Sequence, residues 1–274
     1  MTRKQCSFFI LSVMLAALFI LPVSAMEKPL TQSESELTCE GDLPSTCAES
    51  NLMDFVTDAV LEASESQLVL LPAQAVTGTL EQGAVFQSDL ERIIPTDQAL
   101  VTASLSPAAL RELLEIGVSH LTRDSSEGID VAASAWNGFP QLAGGDGFSW
   151  EYDVSAPVGE RVQYIKWNGE NLDLSDTETT LTVTSVSAMF DGSLGYAVVE
   201  STPTDLTLRQ VLHDYCTARD SISKPATRSN VIGTSNYTII SKFPKPLILA
   251  ICIFISLFVC IPKWKSEKLF TFKK

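Results

Sequence analysis

Two apolar runs, one near each end, constrain this chain more than any other feature. Arg3 and Lys4 precede an uncharged run from Phe8 to Val23, and Val23-Ser24-Ala25 offers small residues just before Met26. A basic start, a short apolar core and a small-residue exit make a signal peptide, expected over 1–25 with cleavage after Ala25. The residue directly after that point is Met26 rather than Cys, which speaks against a bacterial lipid-anchored form. A retained N-terminal anchor is the other reading, but the core is short for a span of ~20 residues.

The second run, Leu247 to Ile261, lies between Pro246 and Pro262. It is shorter than the ~17–25 residues that usually cross a bilayer. Its flanks decide the expectation. Lys263, Lys265, Lys268, Lys273 and Lys274 follow, opposed by Glu267 alone, and Trp264 suits an interface. Positive flanks stay cytoplasmic, and lysines snorkel where a span is short. One transmembrane helix is therefore expected over 247–262, with a basic cytoplasmic tail at 263–274 and an extracellular or periplasmic domain before it. A glycolipid signal is the alternative, but such signals end in their apolar tail rather than in lysines.

Between these runs lie roughly 220 residues, enough for one sizeable domain or two small ones. The formal net charge of the chain is −14. Because Arg3, Lys4 and the lysine tail sit outside this middle part, the middle is more acidic still. Such a field repels nucleic acid, so no nucleic-acid partner is expected. Of six cysteines, Cys6 lies in the signal and Cys252 and Cys260 in the anchor. Cys39, Cys47 and Cys216 face an oxidising compartment. Cys39 and Cys47 form the natural local disulfide, leaving Cys216; a bridge from Cys216 to either stays open, since connectivity is not readable from sequence.

Residues 26–48 read as an acidic lead-in, ordered only near its two cysteines. Helical spacing begins at Leu52 with Phe55, Val56, Val60 and Leu61. Gln67–Leu71 is a short buried strand. Ser106-Pro107 opens a helix carrying Leu110, Leu113 and Leu114, stopped by Gly117. Strands follow at Phe148–Tyr152, Val162–Trp167 and Leu181–Val186, with Asn168-Gly169 as a turn. Thr204 caps a last helix with Leu208, Val211, Leu212 and Tyr215. The fold expected over 49–233 is mixed α/β. A stalk at 234–246 then carries Asn236-Tyr237-Thr238, a glycosylation acceptor in a glycosylating host.

Several segments in this order resemble the C-terminal domain of the 5′-nucleotidase family. Asn51-Leu52-Met53-Asp54, followed by Asp58-Ala59-Val60, is similar to that family's opening helix. Gly83 to Asp89 with Ile94-Pro95 resembles its G-x-I-T-x-x-D…LPF stretch. Ser104-Leu105-Ser106-Pro107 through Glu115 resembles L-T-G-x-E-L-K-x-A-L-E. Gly138-Phe139-Pro140-Gln141-Leu142-Ala143-Gly144 is similar to G-x-F-L-Q-V-S-G, Tyr152-Asp153 to the Y-D that follows, and Gly159-Glu160-Arg161-Val162 with Asn168-Gly169 to G-S-R-V…V-N-G. The resemblance implies a layered α/β/β/α domain that recognises a nucleoside or nucleotide.

In that family two phenylalanines sandwich the base and arginines hold the polar end of the substrate. Phe139 stands at the first phenylalanine position. The segment matching N-F-L-A-N-G-G-D-G-F runs from Ser187 to Tyr196, with Ala188 at the second position, Leu194 at the Asp, and Phe190 two residues away as a substitute. Phe139 and Phe190 are thus the expected substrate-binding residues. N-G-G-G-I-R matches Pro72 to Thr77, which puts Thr77 at the arginine; Arg92, Arg111 and Arg161 lie outside that motif.

The family's hydrolysis belongs to a separate metallophosphatase domain that uses two metals. This chain has two histidines, His120 and His213, and no Asp-x-His or Gly-Asn-His motif. No catalytic residue, metal ligand or cofactor is assigned. His213-Asp214 does not make a triad, because neighbours one apart on a helix do not face each other. Asp146 in Gly144-Gly145-Asp146-Gly147 repels phosphate rather than cradling it, and a hairpin insertion accounts for the run. The function expected is a tethered domain that binds a nucleoside or nucleotide, or partners a separate metallophosphatase subunit in nucleotide catabolism. The alternative is a degenerate interaction or adhesion ectodomain without a nucleotide ligand.

Overall fold

The computed structural model of the chain describes residues 27–126 and 128–234. The expected signal segment 1–25, the span 247–262, the tail 263–274 and Asn236 in the stalk lie outside these residues. Among the described residues, no helix is long and apolar enough to cross a membrane.

The acidic lead-in is ordered along most of its length, contrary to the expectation from its composition. Strand β1 (Thr31–Ser33) is held between β5 (Gly83–Val85) and β13 (Ser221–Ile222), while β2 (Leu37–Thr38) pairs with β4 (Thr79–Leu80). Leu37 is fully buried. One apolar side chain with a paired backbone on either side is enough to fix a segment that a composition average scores as solvated.

Helix α1 (Asn51–Ser64) starts where the Ser50 hydroxyl accepts from the Met53 N–H, satisfying one of the free donors of its first turn. It buries Leu52, Phe55, Val56, Ala59 and Val60 on one face, and Glu65 closes it in the left-handed region at φ 53°. That face packs on β3 (Leu68–Pro72) and β7 (Pro140–Ala143). Every residue of β3 is buried, as a strand covered on both faces requires.

The main sheet has the order β12-β6-β11-β3-β7, with β6 at Ala99–Leu105, β11 at Leu181–Val186 and β12 at Ser201–Thr207. Only β11 and β3 run parallel within it. Pro203 sits on edge strand β12, where a missing N–H leaves no interior ladder broken. A second sheet, β10-β9-β8-β14, contains β8 (Ser149–Asp153), β9 (Val162–Trp167), β10 (Glu170–Asn171) and β14 (Ser229–Ile232). Asn168 and Gly169, at φ 53° and 80°, supply the tight hairpin between β9 and β10.

Helices α2 (Gln87–Ile93), α3 (Pro107–Ser119), α4 (Val131–Ser134) and α5 (Leu208–Thr217) complete the mixed α/β fold. Two expected helix boundaries move. Gly117 does not stop α3, which runs on to Ser119. Its lack of a side chain serves packing instead: a Cβ there would lie 2.5 Å from Pro140 Cδ. The cap of α5 is Thr207, whose hydroxyl accepts from Gln210 N–H. Thr204 lies within β12 and donates to the Leu100 carbonyl at 2.9 Å.

The last described strand is clamped at its start. β14 runs parallel to β8, with Ser229 opposite Trp150 and Ile232 opposite Asp153. Glu49 accepts from the backbone N–H groups of Arg228 and Ser229. The Arg228 guanidinium donates to Thr57 Oγ1 and to the Leu142 carbonyl, both at 3.1 Å, and pairs with Asp58 and, at 3.7 Å, with Asp54. Burial, together with the charge of Glu49, pushes the Asp54 carboxyl up to about 9, so it holds a proton against Glu49.

Candidate functional site

The register of the main sheet gathers three distant segments at one end. β3 and β11 are parallel, so their carboxyl ends lie side by side. β7 enters from that end, with Pro140 opposite Pro72, and β6 starts there, with Leu100 opposite Val186. The turn after β3, the turn before β7 and the loop after β11 therefore meet. Crevices outside the carboxyl ends of parallel strands are where open α/β sheets take ligands. Hydrogen bonds tie the three together. Ala73 N–H donates to the Phe139 carbonyl and Gln74 N–H to that of Asn137, each at 2.9 Å. The Tyr196 hydroxyl donates to the Gly138 carbonyl at 2.8 Å.

The two expected base-stacking residues are at this end but face inward. Phe139 is 1% exposed and Phe190 2%. Phe139 meets the edge of Tyr152, ring centroids 6.5 Å apart, deep between the sheets. Every residue of β7 is buried, so a side chain at its entry is drawn into the same core. Phe190 does not take over the second face at the surface. Ala188, at the matched position, is half-buried and packs on the core.

A different aromatic set stands nearer the surface. Trp136, half-buried, stacks on exposed His120 at 3.9 Å with 17° between planes. It also meets Tyr196 at 5.2 Å and 42°. His120 is the C-terminal cap of α3, and partial burial lowers its pKa. Tyr196 is buried, which raises its phenol pKa and keeps the proton it donates to Gly138. Trp136 and Tyr196 were given no role in the sequence, although Tyr196 ends a segment matched to the family and Trp136 lies two residues before another.

No arginine from the expected group reaches these rings. Thr77, at the motif's arginine position, is exposed and has no charge to offer. Arg92 pairs with Asp89 at 2.8 Å and donates to the Thr79 carbonyl. Arg111 donates to the Gly159 carbonyl. Arg161, 9% exposed, donates to the carbonyls of Val118 and Leu121 and ties down the end of α3. Arg209, at the start of α5, does lie at this end of the sheet and donates to the Ile94 carbonyl at 2.8 Å. With Gln87, Asp97, Thr207, Gln210 and His213 it lines an open cavity of about 360 Å³.

His213 Nδ1 and Asp214 Oδ1 are 3.1 Å apart, so these neighbours do touch, contrary to expectation. Both are exposed, at 37% and 66%, which suits a surface contact rather than an activated base. The Gly145-Asp146-Gly147 turn, with φ of 76° and 74° at its glycines, borders a second open cavity of about 500 Å³ that includes Asp58, Glu62, Tyr215 and Arg228.

Among the described residues, no group of three or more His, Cys, Asp or Glu is arranged to hold a metal. Cys39, Cys47 and Cys216 are buried free thiols, so the expected Cys39–Cys47 bridge is not formed. Cys39 instead accepts from the Ser50 hydroxyl at 3.9 Å, and Cys47 donates to the Pro44 carbonyl at 3.5 Å.

Comparison with known proteins gives a consistent family assignment. Residues 31–200 match the family described as 5′-nucleotidase, C-terminal domain. The trifunctional nucleotide phosphoesterase protein YfkN of Bacillus subtilis (strain 168) is 23% identical over 156 residues, 55% of this chain and 10% of that protein. A 5′-nucleotidase precursor from Thermus thermophilus superposes with a TM-score of 0.63 at 22% identity, covering 83% of this chain and 44% of that one. The NAD nucleotidase (NadN) of Haemophilus influenzae does so with a TM-score of 0.58 at 14% identity, covering 75% and 38%. The chain thus spans less than half the length of each of these proteins, and identities at this level speak for the fold alone.

Proposed function

Because this chain belongs to the 5′-nucleotidase C-terminal domain family, we propose that it is a recognition domain for a nucleoside or nucleotide, working beside a separate metallophosphatase subunit in nucleotide catabolism. The supporting observation is the meeting of Pro72–Thr77, Gly138-Phe139 and Ser187–Tyr196 at the carboxyl ends of β3 and β11. These are the three segments in which the family resemblance places base and polar contacts. Phe139 is buried at this place, and the half-buried Trp136 stacked on exposed His120 stands nearer the surface. Hydrolysis is not assigned to this chain, since the described residues do not fit a two-metal centre. Calorimetric titration of the full-length chain with adenosine, AMP and UMP tests the reading. Binding heat with at least one is expected, and no heat from any at millimolar ligand sinks it.

The burial of both Phe139 and Phe190, together with Thr77 at the arginine position, favours a second reading, an interaction ectodomain without a nucleotide ligand. Under it, Phe139→Ala changes stability and nothing else. In either case the domain is proposed to sit outside the cytoplasm on a single C-terminal span, a topology supported by the apolar runs and the lysine-rich tail. Protease digestion of intact and permeabilised cells, with an epitope at each end, tests that topology.

A further inference from the structure

The aromatic cluster at the end of the main sheet already contains a flat ring held as a ligand ring would be. The Trp136 indole lies nearly parallel to the His120 imidazole at 3.9 Å and leans on Tyr196 at 5.2 Å. Below it is Gly138, where a Cβ would come within 2.5 Å of Trp136 Cζ2. A residue with any side chain at 138 therefore has no room while the indole is in place. Gly138 is also the residue whose carbonyl receives the Tyr196 hydroxyl. One turn thus carries the occupying ring, the gap that admits it and the link to the opposite loop.

We propose that Trp136 is the resident occupant of a slot for flat heteroaromatic rings, and that a nucleobase enters only after the indole swings outward. This rests on the reading that this end of the sheet takes a nucleoside. The stacking contacts available from His120 and Tyr196 suit any such ring, because stacking is tolerant of ring identity. Outward rotation needs side-chain torsions alone. The backbone is fixed by Trp136 N–H donating to the Thr46 carbonyl and by Phe139 N–H donating to the Trp136 carbonyl, at 2.9 and 3.0 Å. His120, the ring on which the indole stacks, is itself exposed, so the path outward does not cross the core. Such an occupant lowers apparent affinity by the fraction of time that it is out. The wild-type chain then binds weakly for a reason other than loss of the slot.

The experiment compares full-length wild type with Trp136→Ala, titrating adenosine and, separately, indole. At least tenfold tighter binding of adenosine by the variant is expected. Tighter binding of indole without adenosine keeps the occupied slot and removes the nucleoside reading, so the two ideas fail separately. No gain for either ring in a variant that still melts cooperatively overturns the proposal. Trp136→Leu covers the case in which Trp136→Ala does not fold, because it removes the flat ring while keeping apolar bulk against the core. Its adenosine affinity should also rise at least tenfold; unchanged affinity for both adenosine and indole in this variant overturns the proposal.

Discussion

The Tyr196 hydroxyl donates to the Gly138 carbonyl at 2.8 Å, joining the loop after β11 to the turn before β7 across 58 residues of chain. Both partners are buried, so the bond is sheltered from water. Tyr196→Phe leaves the Gly138 carbonyl without that donor and keeps the ring. Its cost should be about 0.5–1.5 kcal/mol in urea denaturation. A change below ~0.3 kcal/mol would mean that the loops are held by packing alone.

Phe139→Ala removes a side chain that is 1% exposed and touches Tyr152. Substitutions of this kind in a core cost about 3–5 kcal/mol. Equilibrium denaturation of the purified chain should show a loss of this size. A loss under ~1 kcal/mol would put Phe139 at a surface, as the sequence expectation of an open sandwich requires.

Asp54 keeps its proton in the folded chain up to about pH 9, whereas the same carboxyl in an unfolded chain loses it near pH 4. Between these values the unfolded state binds fewer protons, so stability falls as pH rises, by at most about 1.4 kcal/mol per pH unit from this group. Asp58, also raised mainly by burial, contributes with the same sign. Asp54→Asn should melt higher than wild type at pH 8 and depend less on pH between 5 and 8. Parallel melting curves for the two proteins would refute this account.

Arg228 pairs with the Asp58 carboxylate and lies 3.7 Å from protonated Asp54, while only 11% of its side chain is exposed. Removing one member of a buried ion pair costs about 3–5 kcal/mol, because the other charge is left without a partner. Arg228→Met should therefore be strongly destabilising near neutral pH. Adding Asp58→Asn should recover part of the loss, and a double-mutant cycle measures how much. Strict additivity would argue that the two do not interact.

Burial pushes the thiols of Cys39 and Cys47 up to about 11 and that of Cys216 up to about 12. The thiolate is the reactive form. In a variant with Cys6, Cys252 and Cys260 changed to Ser, Ellman's reagent at pH 8 should label the native protein slowly. Three equivalents should appear at once in denaturant; fast native labelling would show these sites to be open.

Strands β9 and β11 and the hairpin at Asn168-Gly169 were legible because alternation and turn chemistry act over a few residues. The starts of α1 and α3 were legible for the same reason, α1 from its apolar stripe beginning at Leu52 and α3 from a serine cap beside such a stripe. What stayed hidden depended on partners far along the chain. Nothing local says that Gly117 must clear Pro140, or that β1 and β2 have strands waiting for them at Gly83–Val85 and Thr79–Leu80. The direction of a side chain was equally invisible. Phe139 lies at the converging end of the sheet, yet whether its ring turns inward or outward is set by the packing of β7. Trp136 gained its role only through His120 and Tyr196, 16 and 60 residues away.

Strand β14 also determines how the domain bears mechanical load. Its four residues run beside β8 in parallel register, Glu49 grips the amides of Arg228 and Ser229 at its start, and the Arg228 side chain is pinned between α1 and β7. A pull on the chain beyond Gly233 along the strand axis strains these bonds together, in shear, instead of opening them singly like a zipper. The site at the carboxyl ends of β3 and β11 lies in a different sheet, outside the strand that takes the strain. If the proposed C-terminal tether exists, its tension would be absorbed at the Arg228 clamp before it distorts the rings around Trp136.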